Sequence, residues 1–304
     1  MGLKKSAFMH SKDQLPYLGI GLGLRREIAS ETLRSDKIDW LEIVPENYMR
    51  IGGHARRRLA KARAKHTIVT HGVNLSIGCA DPLDQNYLDD LKALLDYIDA
   101  PWFSDHLCFT SFESDYMHEL LPLPLTEQAA LHVADRAKRV QEFCNRPFLL
   151  ENISYYMDVP GSEMQEASFF ARVVERADCG ILLDVNNVYV NSINLNFDPY
   201  VYLAALPLER VVQIHVAGHS HTDTHLIDTH GAPIIEPVFE LLQHVLERCD
   251  AKAVMLERDQ NFPDFVEIEN ELDIIRKMVE STYSCKTARN ICDSTIVNDL
   301  VAPL

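Results

Sequence analysis

The sequence predicts an α/β chain of the closed (β/α)₈ TIM-barrel type, and three observations carry that prediction. Eight short apolar runs recur along the 304 residues. Amphipathic stretches of helical spacing separate them, the alternation that builds parallel sheets. No G-x-G-x-x-G follows the first run, which removes the usual mark of an open, doubly wound sheet, and eight units suit closure better.

In order, the runs are Leu18–Leu24, Trp40–Pro45, Thr67–His71, Trp102–His106, Phe148–Glu151, Ile181–Asp184, Val211–His215 and Val254–Glu257. They are nearly continuous in apolar residues, as strands covered on both faces must be. Helices are predicted over Tyr87–Ile98, Thr126–Cys144, Ser162–Ala177, Ile234–Cys249 and Phe265–Val279. The second opens on T-E-Q ahead of its apolar period, a helix-start pattern. A barrel takes roughly 250 residues plus extensions. Residues 1–282 are therefore expected to form one barrel domain, and residues 283–304 a polar C-terminal tail.

Hydrophobic residues make up 47% of the chain, enough to fill such a core, and the net charge is −16 from 29 basic and 45 acidic residues. A surface of that sign repels phosphate backbones, so no nucleic-acid partner is expected, although a local basic stripe can survive within an acidic total. No apolar run reaches the roughly 18 residues of a membrane span. The N-terminal MGLKKSAFMHSKDQLPYLG lacks a signal-type apolar stretch, so a cytoplasmic protein without membrane association is expected. The seven cysteines (Cys79, Cys108, Cys144, Cys179, Cys249, Cys285 and Cys292) show no C-x-x-C spacing. That pattern points to reduced thiols, not a disulfide frame.

The chemistry sits where the strands end. TIVTH stops at His71, PWFSDH at His106, PFLLEN at Glu151, GILLDVNN at Asp184 with Asn187 three residues on, RVVQIH at His215, and AVMLERD at Glu257. The loop after the seventh strand adds Asp228 and His230 in IDTHG. In a barrel these ends meet in one crown. One such residue is ordinary, a satisfied polar group in a packed layer. Six endings plus an Asp-x-His pair point to bound cations, because unpaired charges buried together cost several kcal/mol each. Four carboxylates set against three divalent ions leave charge for hydroxide and substrate, and nine ligands over three ions leave open positions. Nitrogen and oxygen donors without thiolate suit iron, manganese or catalytic zinc. Asp105 and Asn152, beside His106 and Glu151, are candidates to bind substrate or orient ligands, as are Glu46 and Asn47. His219, in a loop shared with His221 and His225, is a candidate to move protons or touch substrate. Two glycines in the Gly21–Arg26 stretch are a weak anion-site signal.

The phrases THGVNLSIG, SDHLCF, ENISYY, LLDVNNVYVNS, HVAGH, IDTHGAP and LERDQNFP resemble the multinuclear non-haem iron-dependent oxidative enzymes, a family long catalogued as a domain of unknown function. The resemblance runs from Leu18 to Met278. It implies a xylose isomerase/endonuclease IV-like barrel with two or three irons of mixed Fe²⁺/Fe³⁺ state at its mouth, replaceable by zinc or manganese. It implies as ligands His71, His106, Glu151, Asp184, Asn187, His215, Asp228, His230 and Glu257. The ligand order is also similar to the trinuclear zinc site of endonuclease IV, with Asn187 where that enzyme has a histidine. The implied activity is the dioxygen-dependent oxidation of cysteines in a ribosomally made precursor peptide, with a small partner protein aiding recognition. In such a reaction a ferrous ion activates dioxygen beside a ferric ion that holds the cysteine thiolate. Three other readings compete: an endonuclease IV-like zinc phosphodiesterase, a sugar isomerase-like metalloenzyme, and a metal-storing protein. The acidic total counts against the first, the histidine-rich donors against the second, and the open positions against the third.

Overall fold

The computed structural model describes residues 6–50, 52–113 and 115–299, with side chains up to Lys286. Residues 300–304 of the expected tail and the side chain of Cys292 lie outside the described residues. Twelve strands follow one another among the described residues: β1 (Gly19–Gly23), β2 (Trp40–Ile43), β3 (Thr67–Gly72), β4 (Phe103–His106), β5 (Phe109–Phe112), β6 (Asp115–Leu121), β7 (Phe148–Glu151), β8 (Gly180–Asp184), β9 (Val211–Val216), β10 (Ser220–His221), β11 (Leu226–Ile227) and β12 (Ala253–Leu256). The eight predicted runs supply β1, β2, β3, β4, β7, β8, β9 and β12, which close in that order into one barrel. Every neighbouring pair is parallel, from β1 beside β2 round to β12 beside β1. The other four strands form antiparallel hairpins, β5–β6 and β10–β11, in segments where no strand is predicted.

The helices cover the outside of the barrel. The helix expected from Tyr87 starts at Gln85, that expected over Ile234–Cys249 shortens to Glu236–Leu246, and two further bounds move for visible local reasons. The helix expected from Ser162 begins at Glu166, because Glu163 and Met164 give their N–H groups to the Leu125 carbonyl instead. The helix expected to end at Val279 continues to Asp299. Past Val279 it is held to the barrel by Tyr283, whose hydroxyl donates to the Ala251 carbonyl at 2.8 Å and whose ring meets Tyr17 edge-on. No helix among the described residues is long and apolar enough to cross a membrane.

Two apolar clusters hold this together. The larger lies between the strands and the outer helices. The smaller fills the lower lumen with Trp40, Val69, Trp102, Leu149, Leu182, Val212, Ala253 and Met255. Strand side chains alternate between faces, so Val69 and His71, or Leu149 and Glu151, share the inward face one layer apart. Room for the bulky Trp40 comes from β1: a Cβ on Gly21 would collide with the Trp40 indole. The floor is plugged by Phe8, from a short helix, Ala7–Lys12, that sequence patterning did not predict. That helix is capped by Ser6 and tied down by Phe8 N–H to Asp178 and Lys12 Nζ to the Glu209 carbonyl.

Above the floor the lumen turns polar within one layer. Trp102 Nε1 donates to Gln213 Oε1 at 2.8 Å, and Gln213 Nε2 donates to Glu42 Oε2 at 2.6 Å. Trp102→Phe keeps the ring in the floor but leaves the Gln213 oxygen buried and unpaired. A loss of about 1–3 kcal/mol is expected, read as a lower urea midpoint; an unchanged midpoint would mean the indole donor contributes nothing.

Candidate metal centre

The upper lumen holds a convergence of lone pairs. His71 Nδ1 lies 2.9 Å from Ser104 Oγ, whose own hydroxyl donates to the Thr70 carbonyl. His106 Nδ1 lies 2.9 Å from the Gly72 carbonyl. Both Nδ1 atoms therefore carry the proton, and both Nε2 atoms present lone pairs. Those Nε2 atoms stand 3.1 Å apart and lie 2.8 and 3.0 Å from Glu151 Oε2. Three acceptors facing one point need a proton or a metal cation between them.

The other Glu151 oxygen faces a second cluster. His215 Nδ1 is 3.0 Å from Glu151 Oε1 and 3.0 Å from Glu257 Oε2, while its Nε2–H is held by Glu42 Oε2 at 3.0 Å. The bond to Glu42 sets the tautomer, so His215 offers Nδ1 where His71 and His106 offer Nε2. Asp184 completes this group with Glu151, His215 and Glu257, one donor atom from each within 4.8 Å of the others.

Asp184 reaches a third group. As N-cap of the helix Val185–Asn194 it accepts the Asn187 N–H on Oδ1 at 2.7 Å, the ordinary use of aspartate at a helix start. Oδ2 is left buried without a partner, 3.9 Å from His230 Nε2, which itself lies 2.7 Å from Asp228 Oδ1. His230 Nδ1 is fixed by Asp259 Oδ2 at 3.1 Å. This end reaches solvent: Asp228 and His230 are 12% and 14% exposed in their side chains, against 2% for Glu151.

Buried Asp184 Oδ2, Asn187 Oδ1, His215 Nδ1 and His230 Nε2 have no hydrogen-bond partner. Orphaned polar atoms are rare in folded proteins. Four of them among carboxylates and imidazoles fit a cluster of hard-to-borderline cations. Protonation tells the same story. Burial works to lower the His106 pKa, but Glu151 and its neighbours outweigh it and hold it at about 9. His215 and His230 are raised in the same way, against their burial, by Glu42, Glu257 and Asp228. Burial raises Asp184, helped by the Asp228, Glu151 and Glu257 charges, while His230 opposes the rise. Without a metal the site must hold protons.

Eight of the nine ligands expected from sequence thus touch one another or share a donor cluster, and Asn187 lies against Asp184 with its oxygen orphaned. Of the other expected residues, Asn152 is a brace: it donates to the Asp184 carbonyl and accepts the Asp184 N–H, at 2.9 and 3.0 Å. Asn187 and Asn191 extend this brace to the carbonyls of Asn152 and Ile153. Asp105 turns away from the donors to accept the N–H groups of His106 and Leu75, and burial pushes its pKa up to about 7. Glu46 pins the same loop through Val73, Asn74 and Tyr87. His219 sits at the open edge, 2.8 Å from Asn186 Oδ1, whose amide donates to Asp228. The sequence reading passed over Glu42, Gln213, Asn186, Arg25 and Asp259. Arg25 Nε binds Asp259 at 2.6 Å, and its Nη2 lies 3.5 Å from Glu257. Glu42 had one signal, a lone charge inside the apolar run WLEIV.

Comparison with known proteins gives consistent matches. The family described as the RiPP precursor modification enzyme MbnB/TglH/ChrH matches residues 19–280. A UPF0276 protein of Anaeromyxobacter sp. (strain Fw109-5) is 48% identical over 247 residues, covering 81% of this chain and 87% of that one. A UPF0276 protein of Acinetobacter baylyi is 42% identical over 263 residues, covering 86% and 91%. Among solved structures, the 3-keto-D-glucoside 4-epimerase YcjR of E. coli superposes with a TM-score of 0.52 at 15% identity, covering 86% of this chain and 99% of that one. A D-tagatose 3-epimerase-like protein gives 0.53 at 14% identity, covering 87% and 99%. At such identities these two share the barrel and nothing more.

Metal must displace the proton from His106, so binding is expected to release protons and to tighten as pH rises toward about 9, then level off. Competition for Zn²⁺ between chelator-stripped protein and an indicator across that range measures it; an affinity flat in pH would remove His106 from the ligand set. Glu42→Gln frees His215 to take the wrong tautomer. A 10–100-fold loss of metal affinity is expected in a folded barrel, the order found for residues that orient metal ligands, and wild-type affinity would show that Glu42 does not orient His215.

Proposed function

From a chain that belongs to the RiPP precursor modification enzyme family MbnB/TglH/ChrH, we propose an enzyme that oxidises cysteine side chains of its precursor peptide with dioxygen, using two or three irons. The observation that carries this reading is the convergence of imidazole nitrogens and carboxylate oxygens in a buried lumen. His71, His106 and Glu151 would hold one ion. Glu151, Asp184, His215 and Glu257 would hold a second, and Asp184, Asn187, Asp228 and His230 a third. All-nitrogen-and-oxygen donors suit iron, with manganese or zinc as substitutes. Bound iron supplies the one-electron chemistry that links dioxygen to a thiol.

The chain's own groups prepare the reaction. His71 and Glu151 lie deepest, 4% and 2% exposed in their side chains, while His106, Asp228 and His230 are 11%, 12% and 14% exposed, so the reacting groups would enter from the face those three share. Asp228 draws the Asn186 amide N–H₂, which turns the Asn186 carbonyl toward His219. His219 Nδ1–H donates to that carbonyl, leaving Nε2 as a base. Burial holds the His219 pKa below the usual histidine value, so this base is free at neutral pH. We assign it the thiol proton of the arriving cysteine. Asp105 and Asn152 act on the backbone, keeping the ends of β4 and β8 in place. A small partner protein that presents the precursor belongs to the same reading.

Elemental analysis with Mössbauer spectroscopy, on protein purified without oxygen from iron-supplied cells, tests the metal assignment. Two or three irons per chain, partly ferric, are expected. Zinc as sole metal under those conditions would overturn the oxidative reading and favour hydrolytic chemistry.

A further inference from the structure

Charge is distributed unevenly along this acidic chain. Between Glu46 and Asp81 it carries seven of its 29 lysines and arginines and none of its 45 acidic residues. Most fall on one helix, Gly53–Arg63, whose first turn has no acidic residue and no side-chain cap. The helix follows β2, so its N-terminal end lies at the rim of the barrel mouth.

Two cavities flank that helix. One, of about 620 Å³, is lined by Arg25, Arg26, His54 and Arg58 against a single carboxylate, Glu27. The other, of about 670 Å³, is lined by Arg50, Arg56 and Tyr97. Tyr48 lines both, joining them into a groove from the mouth to the barrel flank. Some of its cations are already engaged: Arg50 pairs with Asp90, Arg56 lies 5.6 Å from the Tyr97 ring centre, and Arg25 holds Asp259 beside Glu257. Arg58 reaches the Tyr48 hydroxyl. Arg26 and Arg58 have no carboxylate within ion-pair distance among the described residues. Unpaired guanidinium groups beside aromatic rings suit carboxylate-bearing peptide, which they bind by paired N–H donation.

We propose that this groove docks an acidic segment of the precursor peptide, with its carboxylates on Arg26, Arg56 and Arg58 and its apolar side chains against Tyr48 and Tyr97. The inference rests on the peptide-modifying reading above and adds the sign and place of recognition. The docked chain would pass Arg25, whose guanidinium touches both the groove and the carboxylates of the metal cluster. Peptide is favoured over nucleic acid because the basic stretch is short and the rest of the surface is strongly acidic, which a long phosphate backbone could not avoid.

Fluorescence anisotropy on the metal-loaded full chain tests it, with fluorescein-labelled acetyl-(Glu)₆-amide as probe and (Lys)₆ and oligo-dT as comparators. The (Glu)₆ probe is expected to bind, to weaken with salt, and to lose at least about tenfold in affinity in Arg26→Glu/Arg58→Glu. Lys138→Glu/Arg139→Glu, on the helix Glu127–Cys144, changes net charge equally and should bind like wild type. Absence of (Glu)₆ binding, or an equal loss in both double variants, would overturn the groove. Oligo-dT binding that exceeds (Glu)₆ and vanishes in the first variant would replace the peptide with nucleic acid. Iron content measured on the same samples separates the two readings: a protein with iron but no (Glu)₆ binding sinks only the groove, and one with (Glu)₆ binding but no iron sinks only the metal chemistry.

Discussion

The structure depends on an imbalance that its own atoms do not resolve. Within one lumen, nitrogens of His71, His106 and His215 and the oxygens of Glu151, Asp184 and Glu257 face one another, and only bound cations or added protons relieve them. Their ring protons are all committed outward, to Ser104, the Gly72 carbonyl and Glu42. A barrel packed to the top with aliphatic layers would be more stable, since buried charge costs more than it returns unless paired. The lower lumen follows that rule, with Trp40, Trp102 and Phe8 filling the floor. The upper lumen departs from it, and the departure marks where the fold serves chemistry instead of stability.

How much of this was legible follows from how each residue type signals. Apolar strands that end in His or Glu are visible because a short, nearly continuous apolar run stops abruptly at a ligand-type side chain, as at His71 and Glu151. Barrel closure then brings together residues that are remote in sequence. Glu42 and Gln213 were harder. They sit inside strands, and a polar residue there has a role only when its neighbours across the lumen are known. Asn186 and Arg25 lie just past strand ends, where polar residues are common, so nothing separates a metal brace from a loop residue. The plugging helix was hidden for a different reason: six residues are too few to show a helical period.

The Asn-rich phrase LLDVNNVYVNS shows how one short helix serves several purposes. Asp184 caps it and keeps an oxygen for the cluster. Asn186 reaches Asp228, while Asn187 and Asn191, a turn apart, clamp the segment after β7. The Asn187 and Asn191 amides each satisfy a backbone carbonyl that would otherwise be buried without a partner. The geometry of Asp184 thus comes from the backbone on both sides of it, which explains why this helix begins immediately at the strand end without an intervening loop.

Glu151 spans two of the three donor groups, with one oxygen turned to each. A carboxylate so placed cannot be optimised for one neighbour while the other is filled by protons. Were cations to occupy both groups, each would polarise the carboxylate that the other shares, so the two positions could not fill independently of one another.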